Sequence, residues 1–176
     1  KGLKNKNIKK LIDKPLIAHS ICLAKSIDKG NKVFVSTECE EISKLAKEYG
    51  ADVIPRPSEL ANDDSPEWLA WQHGVKWVES RFDKFDTFLS LPCTAPLRNI
   101  DDVIKCLDAL DNESEVVITM TEANRSPWFN MVSENSNKYV DLILKNSKQI
   151  YCRQQAPAVF DMTTVAYVTR PDFIIN

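Results

Sequence analysis

Glycine is scarce in this chain, whose 176 residues include only four: Gly2, Gly30, Gly50 and Gly74. Their spacing forms neither a G-x-G-x-x-G nor a G-x-x-x-x-G-K-[ST] loop, the two motifs in which glycine-rich backbone holds phosphate groups. The absence of both loops argues against a dinucleotide-dependent oxidoreductase and against a P-loop NTPase.

Residues that ligate metals are also few and widely spaced. The chain has two histidines and five cysteines, and no C-x-x-C pair occurs among the cysteines, which argues against a zinc site. His19 and His73 both fall within helical patterns, so a Ser-His-Asp nucleophile has little support. Scattered, unpaired thiols suit a reducing compartment, and we therefore expect a cytoplasmic protein.

Long hydrophobic runs and an excess of one charge are missing too. No apolar stretch approaches the ~20 residues that cross a bilayer, and 23 basic against 25 acidic side chains give a net charge of -2. We expect neither a membrane nor a nucleic acid as a partner, whereas a local basic site for a small polyanion is compatible with this balance.

The chain opens on Lys1 rather than Met and stops in an apolar stretch, so we expect that both ends are cut.

The chain does contain a regular alternation of helix and strand patterns. Helices are expected to follow four capping or proline-containing starts, at Pro15, Thr37, Ser65 and Asn99. Short runs rich in β-branched residues predict strands at 32–36, 51–54, 87–91 and 115–121. Because strands joined by single helices normally lie parallel, the pattern predicts the α/β class, with an open, mostly parallel sheet and flanking helices.

The alternation stops after residue 121. Short strands are predicted at 130–133 and 139–144, an irregular stretch follows, and a buried strand is predicted at 163–169. We therefore expect a nucleotide-binding α/β domain over 1–121 and 161–176. Residues 122–160 are expected to form a small arm.

Ligands of open α/β sheets bind beyond the carboxyl ends of the strands. Residues 36–38, residues 92–98 and the N-terminal loop should therefore meet at one place. The N-terminal loop is basic, with lysines at positions 1, 4, 6, 9 and 10. It is either a solvated tail or a loop that bends over the strand ends and holds phosphates, a role that suits lysine as a mobile point charge.

Several short motifs in this chain match, in order, those of one known family. Lys1-Gly2 and Lys6-Asn7 keep part of a loop with the pattern R-x-G-S-K-G-x-x-x-K-N, and further motifs are VST at 35–37, RPSELA at 56–61, PLR at 96–98 and RQQ at 153–155. The chain thereby resembles the acylneuraminate cytidylyltransferases, the CMP-sialic acid and CMP-legionaminic acid synthetases. It departs from them at Cys93 and Ala95, where the family has proline and serine.

The resemblance implies a Rossmann-like nucleotide-diphospho-sugar transferase fold and a nucleotidyl transfer reaction. An acidic nonulosonic sugar would take CMP from CTP and release pyrophosphate, as a step in nucleotide-sugar biosynthesis for cell-surface polysaccharide. The family's first strand would lie before Lys1, and its metal-binding D-x-D segment after Asn176, so we expect no metal ligands within this chain. Mg²⁺ is nevertheless expected with the triphosphate, and catalytic segments are expected to be missing from this piece.

The resemblance also implies roles for individual residues. Lys6, with Lys1, would clamp the triphosphate as the catalytic cations, and a homodimer would form through the arm. The nucleotide would contact Asn7 and Arg56 at the cytidine and Thr94 beside the base. The sugar carboxylate would contact Arg153, with Gln154 as a hydrogen-bonding neighbour.

Other interpretations stay open at this point. The chain could be a CMP-KDO synthetase, which performs the same chemistry on an eight-carbon acid. It could instead be a non-catalytic nucleotide-binding or assembly subunit, or a hexose-type sugar-phosphate nucleotidyltransferase, although the glycine-rich entry loop of the last is not visible. For single residues, Arg56 could pair with Glu59, Arg153 could anchor the arm, and Trp68 and Trp71 fit a core better than a ligand platform.

Overall fold

The computed structural model of the protein describes residue 3 and the ranges 5–27, 30–62, 64–144 and 150–176; of Arg153 it describes the backbone. The chain forms two compact units. Unit 1 comprises Lys1–Thr119 and Thr164–Asn176, and unit 2 comprises Met120–Thr163. These bounds differ slightly from the predicted arm, 122–160, whose role in dimerisation and sugar binding stays a prediction.

Helices and strands alternate along unit 1, which confirms the α/β class. In the described ranges the helices are α1 (Leu16–Ile27), α2 (Glu40–Glu48), α3 (Glu67–Glu79), α4 (Ile100–Asp108) and α5 (Pro171–Ile175). The strands are β1 (Lys10–Leu11), β2 (Lys14–Pro15), β3 (Phe34–Thr37), β4 (Asp52–Pro55), β5 (Phe88–Ser90), β6 (Val116–Glu122), β7 (Val132–Glu134), β8 (Val140–Leu142) and β9 (Phe160–Thr169). Short 3-10 turns span Lys6–Ile8, Ser58–Leu60 and Arg153–Gln155.

Strands β3 and β4 pair in parallel, as the helix between them predicts. Phe34 lies opposite Asp52 and Thr37 opposite Pro55. Helix α2 joins the two strands and covers them with an apolar face that includes the fully buried Ala46. The carboxyl ends of β3 and β4 therefore meet at Thr37 and Pro55, where the predicted site begins.

A three-stranded sheet has the order β5-β9-β6, and β1 pairs with β2 in a separate two-stranded sheet. Strand β9 runs antiparallel to β5, with Phe88 opposite Thr169, a pairing that the mostly parallel prediction did not include. The chain reaches β9 from unit 2 and not through a crossover helix, so a parallel direction is not imposed on it.

Two hydrophobic clusters form the core of unit 1. In the first, Ile17 and Ile21 of α1 pack with Ala46 of α2. In the second, Val103 and Cys106 of α4 pack with Ala166 and Val168 of β9. The tryptophans of α3 are half-buried and pack on other rings: the Trp71 ring lies 5.3 Å from that of Phe88 and 5.7 Å from that of Tyr167.

Unit 2 is built around the antiparallel hairpin of β7 and β8, in which Val132 lies opposite Leu142. Asn135 closes the turn, since its side-chain Oδ1 accepts the backbone N–H groups of Asn137 and Tyr139. Both strands of this hairpin are exposed along their whole length. Apolar surface exposed to this extent on a small unit is typical of an interaction site.

A strained residue closes the hairpin of β1 and β2. Ile12 has a φ of 62° and is 83% exposed, although a β-branched residue is disfavoured at positive φ. We expect Ile12→Asn to raise the free energy of unfolding by about 1 kcal/mol, because asparagine tolerates this conformation and the isoleucine buries little surface. Urea unfolding measures the change. Ile12→Val, which keeps the branched Cβ, is the matched control, and an equal gain in both variants would contradict the strain.

Candidate active site

The described part of the N-terminal loop is a short turn that lies against α1 and α2. Asn5 adopts a left-handed conformation with φ 56°, and the 3-10 turn Lys6–Ile8 follows it. The backbone N–H of Lys9 donates to the carbonyl of Lys6 at 3.2 Å. Lys6 and Asn7 are half-buried, so this part of the basic segment is a folded turn rather than a solvated tail.

The loop after β5 reaches the same place. Cys93 packs against the first hydrophobic cluster, which includes Val35 of β3, and it interacts electrostatically with Lys6. The N-terminal turn and Cys93 of the 92–98 loop therefore pack on the same two helices, α1 and α2. Val35 of β3 packs against the same hydrophobic cluster as Cys93, and β3 ends at Thr37.

Arg98 connects the loop 92–98 to helix α1. Its Nη1 donates to Ser20 Oγ of α1 at 2.8 Å, and its Nη2 donates to the carbonyl of Pro92. Its Nε is buried and has no hydrogen-bond partner among the described residues. Arg98 is not among the site residues that the sequence predicts. Its PLR motif was visible, but nothing in the pattern indicates that the guanidinium reaches back to α1.

Burial dominates the electrostatics of this cluster. It raises the pKa of the Cys93 thiol above its ordinary value, although the Arg98 charge, a hydrogen bond with Ser20 and the Lys6 charge all act to lower it. Burial also lowers the pKa of the Arg98 guanidinium. The Cys93 thiol thus stays protonated near neutral pH and is not an activated nucleophile.

Arg56 follows β4 and is tied to the end of β3. Its Nε donates to Ser36 Oγ at 3.1 Å and its Nη2 to the Ser36 carbonyl at 2.6 Å. The ion pairs within the described ranges join Lys14 to Asp13 and Lys105 to Asp102. The alternative pairing of Arg56 with Glu59 is therefore wrong.

A cleft of about 540 Å³ lies at the carboxyl ends of β3 and β4 and along α2. Charged and hydroxyl side chains dominate its lining, which consists of Thr37, Glu38, Glu40, Ser43, Lys44, Lys47, Val53, Pro55, Arg56 and Ser58. Thr37 and Arg56 line it where β3 and β4 end, and of the described predicted site residues only Arg56 belongs to this lining.

The remaining predicted residues lie at several places. Thr94 is exposed in the loop after β5, where its Oγ1 lies 3.1 Å from Thr164 Oγ1 of β9. Gln154 is an exposed residue of the turn Arg153–Gln155 in unit 2. Lys1 and the side chain of Arg153 lie outside the described part of the protein. Lys6, Asn7, Arg56 and Thr94 thus share unit 1, whereas the predicted sugar-binding residues belong to unit 2.

The described ranges contain no group of three or more His, Cys, Asp or Glu side chains that could hold a metal ion. None of the helices they form combines the length and the apolarity needed to cross a bilayer.

Sequence comparison relates the chain to cytidylyltransferases. Residues 1–70 match a family model described as cytidylyltransferase. The chain is 34% identical over its whole length to the post-translational flagellin modification protein B of Campylobacter coli, of which it covers 75%. It is 33% identical, with the same coverage, to the CMP-N,N'-diacetyllegionaminic acid synthase of Campylobacter jejuni. The N-acylneuraminate cytidylyltransferase of Escherichia coli is 34% identical over 71% of this chain and 29% of its own length.

Solved structures show the same fold at low sequence identity. A CMP:2-keto-3-deoxy-manno-octonic acid synthetase complexed with CTP superposes with a TM-score of 0.67 at 17% identity, over 98% of this chain and 70% of its own. The 4-diphosphocytidyl-2C-methyl-D-erythritol synthase of Anaerococcus prevotii has a TM-score of 0.64 at 12% identity, over 96% of this chain and 68% of its own. The predicted nucleotidyltransferase fold is thereby confirmed.

Proposed function

Because this chain belongs to the acylneuraminate cytidylyltransferase family, we propose that it transfers CMP from CTP to an acidic nonulosonic sugar of the sialic or legionaminic acid type. One observation of the structure carries the proposal. The half-buried turn with Lys6 and Asn7 packs on α1 and α2, and Cys93 of the 92–98 loop packs on the hydrophobic cluster that the same two helices form, so two of the matching motifs share one support.

In the proposed reaction, the anomeric hydroxyl oxygen of the sugar attacks the α-phosphorus of CTP. The new O–P bond forms, the bond from the α-phosphorus to the oxygen it shares with the β-phosphorus breaks, and pyrophosphate leaves with that oxygen while the hydroxyl proton passes to solvent water. Negative charge grows on the non-bridging and leaving oxygens, where a fixed cation stabilises the transition state more than the ground state. Lys6 is the described residue that we assign to this role, and Lys1 is its proposed companion.

We assign the nucleoside part of CTP to the side chains at the strand ends. Arg56 is held at Ser36 through Nε and Nη2, which orients its guanidinium beside the cleft. Asn7 offers an amide with both donors and acceptors for a base or sugar edge. Thr94, exposed in its loop, would lie beside the base.

The sugar has a carboxylate, for which a guanidinium is the most suitable protein group because it donates two parallel hydrogen bonds. Arg153 is the proposed partner of this carboxylate, and Gln154 is its hydrogen-bonding neighbour. The arm also contains the exposed Tyr151. An exposed turn of this kind is accessible to a sugar substrate.

We also propose Mg²⁺ as the cofactor. When bound, it neutralises part of the charge of the triphosphate, and its ligands are normally carboxylates and phosphates. The described residues form no carboxylate cluster that could hold it.

A homodimer through unit 2 is a further part of the proposal. Tyr139 is 73% and Val140 60% exposed, and large apolar groups in water favour association. We expect sedimentation of the intact protein to show a dimer that dissociates on dilution. Replacement of Tyr139 and Val140 together by serine should shift it towards monomer; a concentration-independent monomer in the unaltered protein would contradict the dimer.

The reaction belongs to nucleotide-sugar biosynthesis for cell-surface polysaccharide, and we place it in the cytoplasm. The support for this compartment is that all five cysteines are free, as is usual where thiols are kept reduced. CMP-KDO synthesis is the alternative with the same chemistry, and its support is the fold likeness alone.

Nucleotide binding tests the proposal. With Mg²⁺ present, isothermal calorimetry should show binding of CTP and a weaker response to ATP, because Asn7 and Arg56 would read the base and not only the phosphates. Equal affinity for the four nucleoside triphosphates would refute the assignment. Binding without any transfer of CMP would instead favour the non-catalytic nucleotide-binding subunit.

A further inference from the structure

We infer that Arg98 is a positioning residue for CTP, acting through the loop 92–98 that it ties to helix α1. The inference rests on the proposed function. It adds to that function a residue outside the set assigned to the triphosphate, the cytidine and the sugar.

The geometry shows how the loop is fixed. Arg98 is the last residue of the loop and donates to the carbonyl of Pro92, its first residue, so the guanidinium closes the loop on itself. Its other nitrogen donates to Ser20 Oγ in α1 at 2.8 Å. One planar group therefore sets the conformation of the loop and its distance from the helix.

The closed loop carries Thr94, the residue proposed to lie beside the base. Thr94 is exposed, and its Oγ1 lies 3.1 Å from Thr164 Oγ1. A change at Arg98 therefore reaches Thr94 through the backbone of the loop.

The cost of this arrangement argues against a purely structural tie. The Arg98 cation is partly removed from water, and its Nε–H is buried with no partner in the described ranges, both of which oppose folding. Arg170 provides a comparison within unit 1. Its guanidinium also makes two hydrogen bonds, to the carbonyls of Ser114 at 2.9 Å and of Asp111, but neither partner belongs to the loop 92–98 or to a predicted site residue.

The test compares Arg98→Met with Arg98→Lys and with the control Arg170→Met in the intact protein. We expect Arg98→Met to raise both the KM and the Kd for CTP about tenfold, the effect of one displaced hydrogen-bonding contact, with kcat changed far less. Arg98→Lys should recover part of the loss, since it keeps the charge without the planar fork. Arg170→Met should lower thermal stability and leave the KM for CTP unchanged.

Two more variants distinguish positioning from simple loss of stability. Ser20→Ala keeps the cation and removes one tie, so it should give a smaller rise in KM and remain folded if Arg98→Met does not. Combined with Thr94→Val, Arg98→Met should add little further effect, because both changes act on one contact.

The outcomes separate the inference from the proposed function. If the unaltered protein binds CTP but transfers no CMP, the proposed function fails while the calorimetric Kd still tests Arg98. If the unaltered protein transfers CMP and Arg98→Met keeps a normal KM and Kd for CTP, or its effect adds fully to that of Thr94→Val, the inference is overturned. A protein that binds no CTP overturns both.

Discussion

Lys6→Ala is expected to lower kcat about a hundredfold with every acidic sugar that the enzyme accepts, the effect of removing one preorganised donor from a developing anion. All sugars should be affected alike because the triphosphate is the part of the reaction that they share. Lys6→Arg should retain more activity, since the positive charge remains. Steady-state kinetics with each substrate varied in turn gives these values.

Lys10 provides the matched control for this prediction. It belongs to the same basic segment, but its side chain is exposed in β1, whereas Lys6 is half-buried in the turn that packs on α1 and α2. Lys10→Ala should therefore leave kcat nearly unchanged. If both alanine variants lose activity equally, the segment acts through its net charge and Lys6 has no individual role.

Arg153→Ala is expected to raise the KM for the sugar about tenfold to a hundredfold, which corresponds to a charge-assisted hydrogen-bonded pair worth ~1.5–3 kcal/mol. The KM for CTP should hardly change, because the proposed contact is with the sugar carboxylate. Arg153→Lys should recover only part of the loss, since an ammonium group lacks the planar two-donor fork. Kinetics with the sugar varied at saturating CTP measures the effect.

Arg125, an exposed arginine of unit 2, is the control for Arg153. Arg125→Ala should leave the KM for the sugar unchanged. The changes at Lys6 and Arg153 concern different substrates and should combine nearly additively. An Arg153→Ala variant that binds CTP poorly and the sugar normally would show that the roles are wrongly assigned within the right family.

Local patterns predicted most of the helices because local chemistry determines their ends. Asn99 caps α4 as expected, with its Oδ1 accepting the backbone N–H of Asp101 at 3.1 Å. Gly50 ends α2 with a φ of 82°, a conformation that glycine adopts without strain. Such signals depend on neighbouring residues alone, and a single sequence contains them.

Predictions failed where a distant strand decides the local conformation. Thr37 has capping-box spacing to Glu40, but it stays in β3 opposite Pro55, so the helix begins after Cys39 and has no side-chain cap. The Thr37 hydroxyl accepts the backbone N–H of Cys39 instead, at 3.1 Å. Likewise, the antiparallel pairing of β5 with β9 joins segments that are far apart in sequence.

The sequence predicted some residues of the candidate site and missed another. The motifs indicated Lys6, Asn7, Arg56 and Thr94 and the loops that carry them, because motif residues are recognisable in order along the chain. Arg98 was missed as a site residue because its importance comes from a contact with Ser20 across 78 positions. Only the folded chain brings these two side chains together.

The most direct measurement of the proposed function is product formation by the intact protein with Mg²⁺. We predict that CTP labelled at the α-phosphorus, with sialic or legionaminic acid, yields labelled CMP-sugar and an equal amount of pyrophosphate, followed by mass spectrometry. ATP in place of CTP should give no such product. Formation of CMP-KDO alone, or the absence of any CMP-sugar under conditions in which CTP is bound, would contradict the assignment of this chain as a nonulosonic acid cytidylyltransferase.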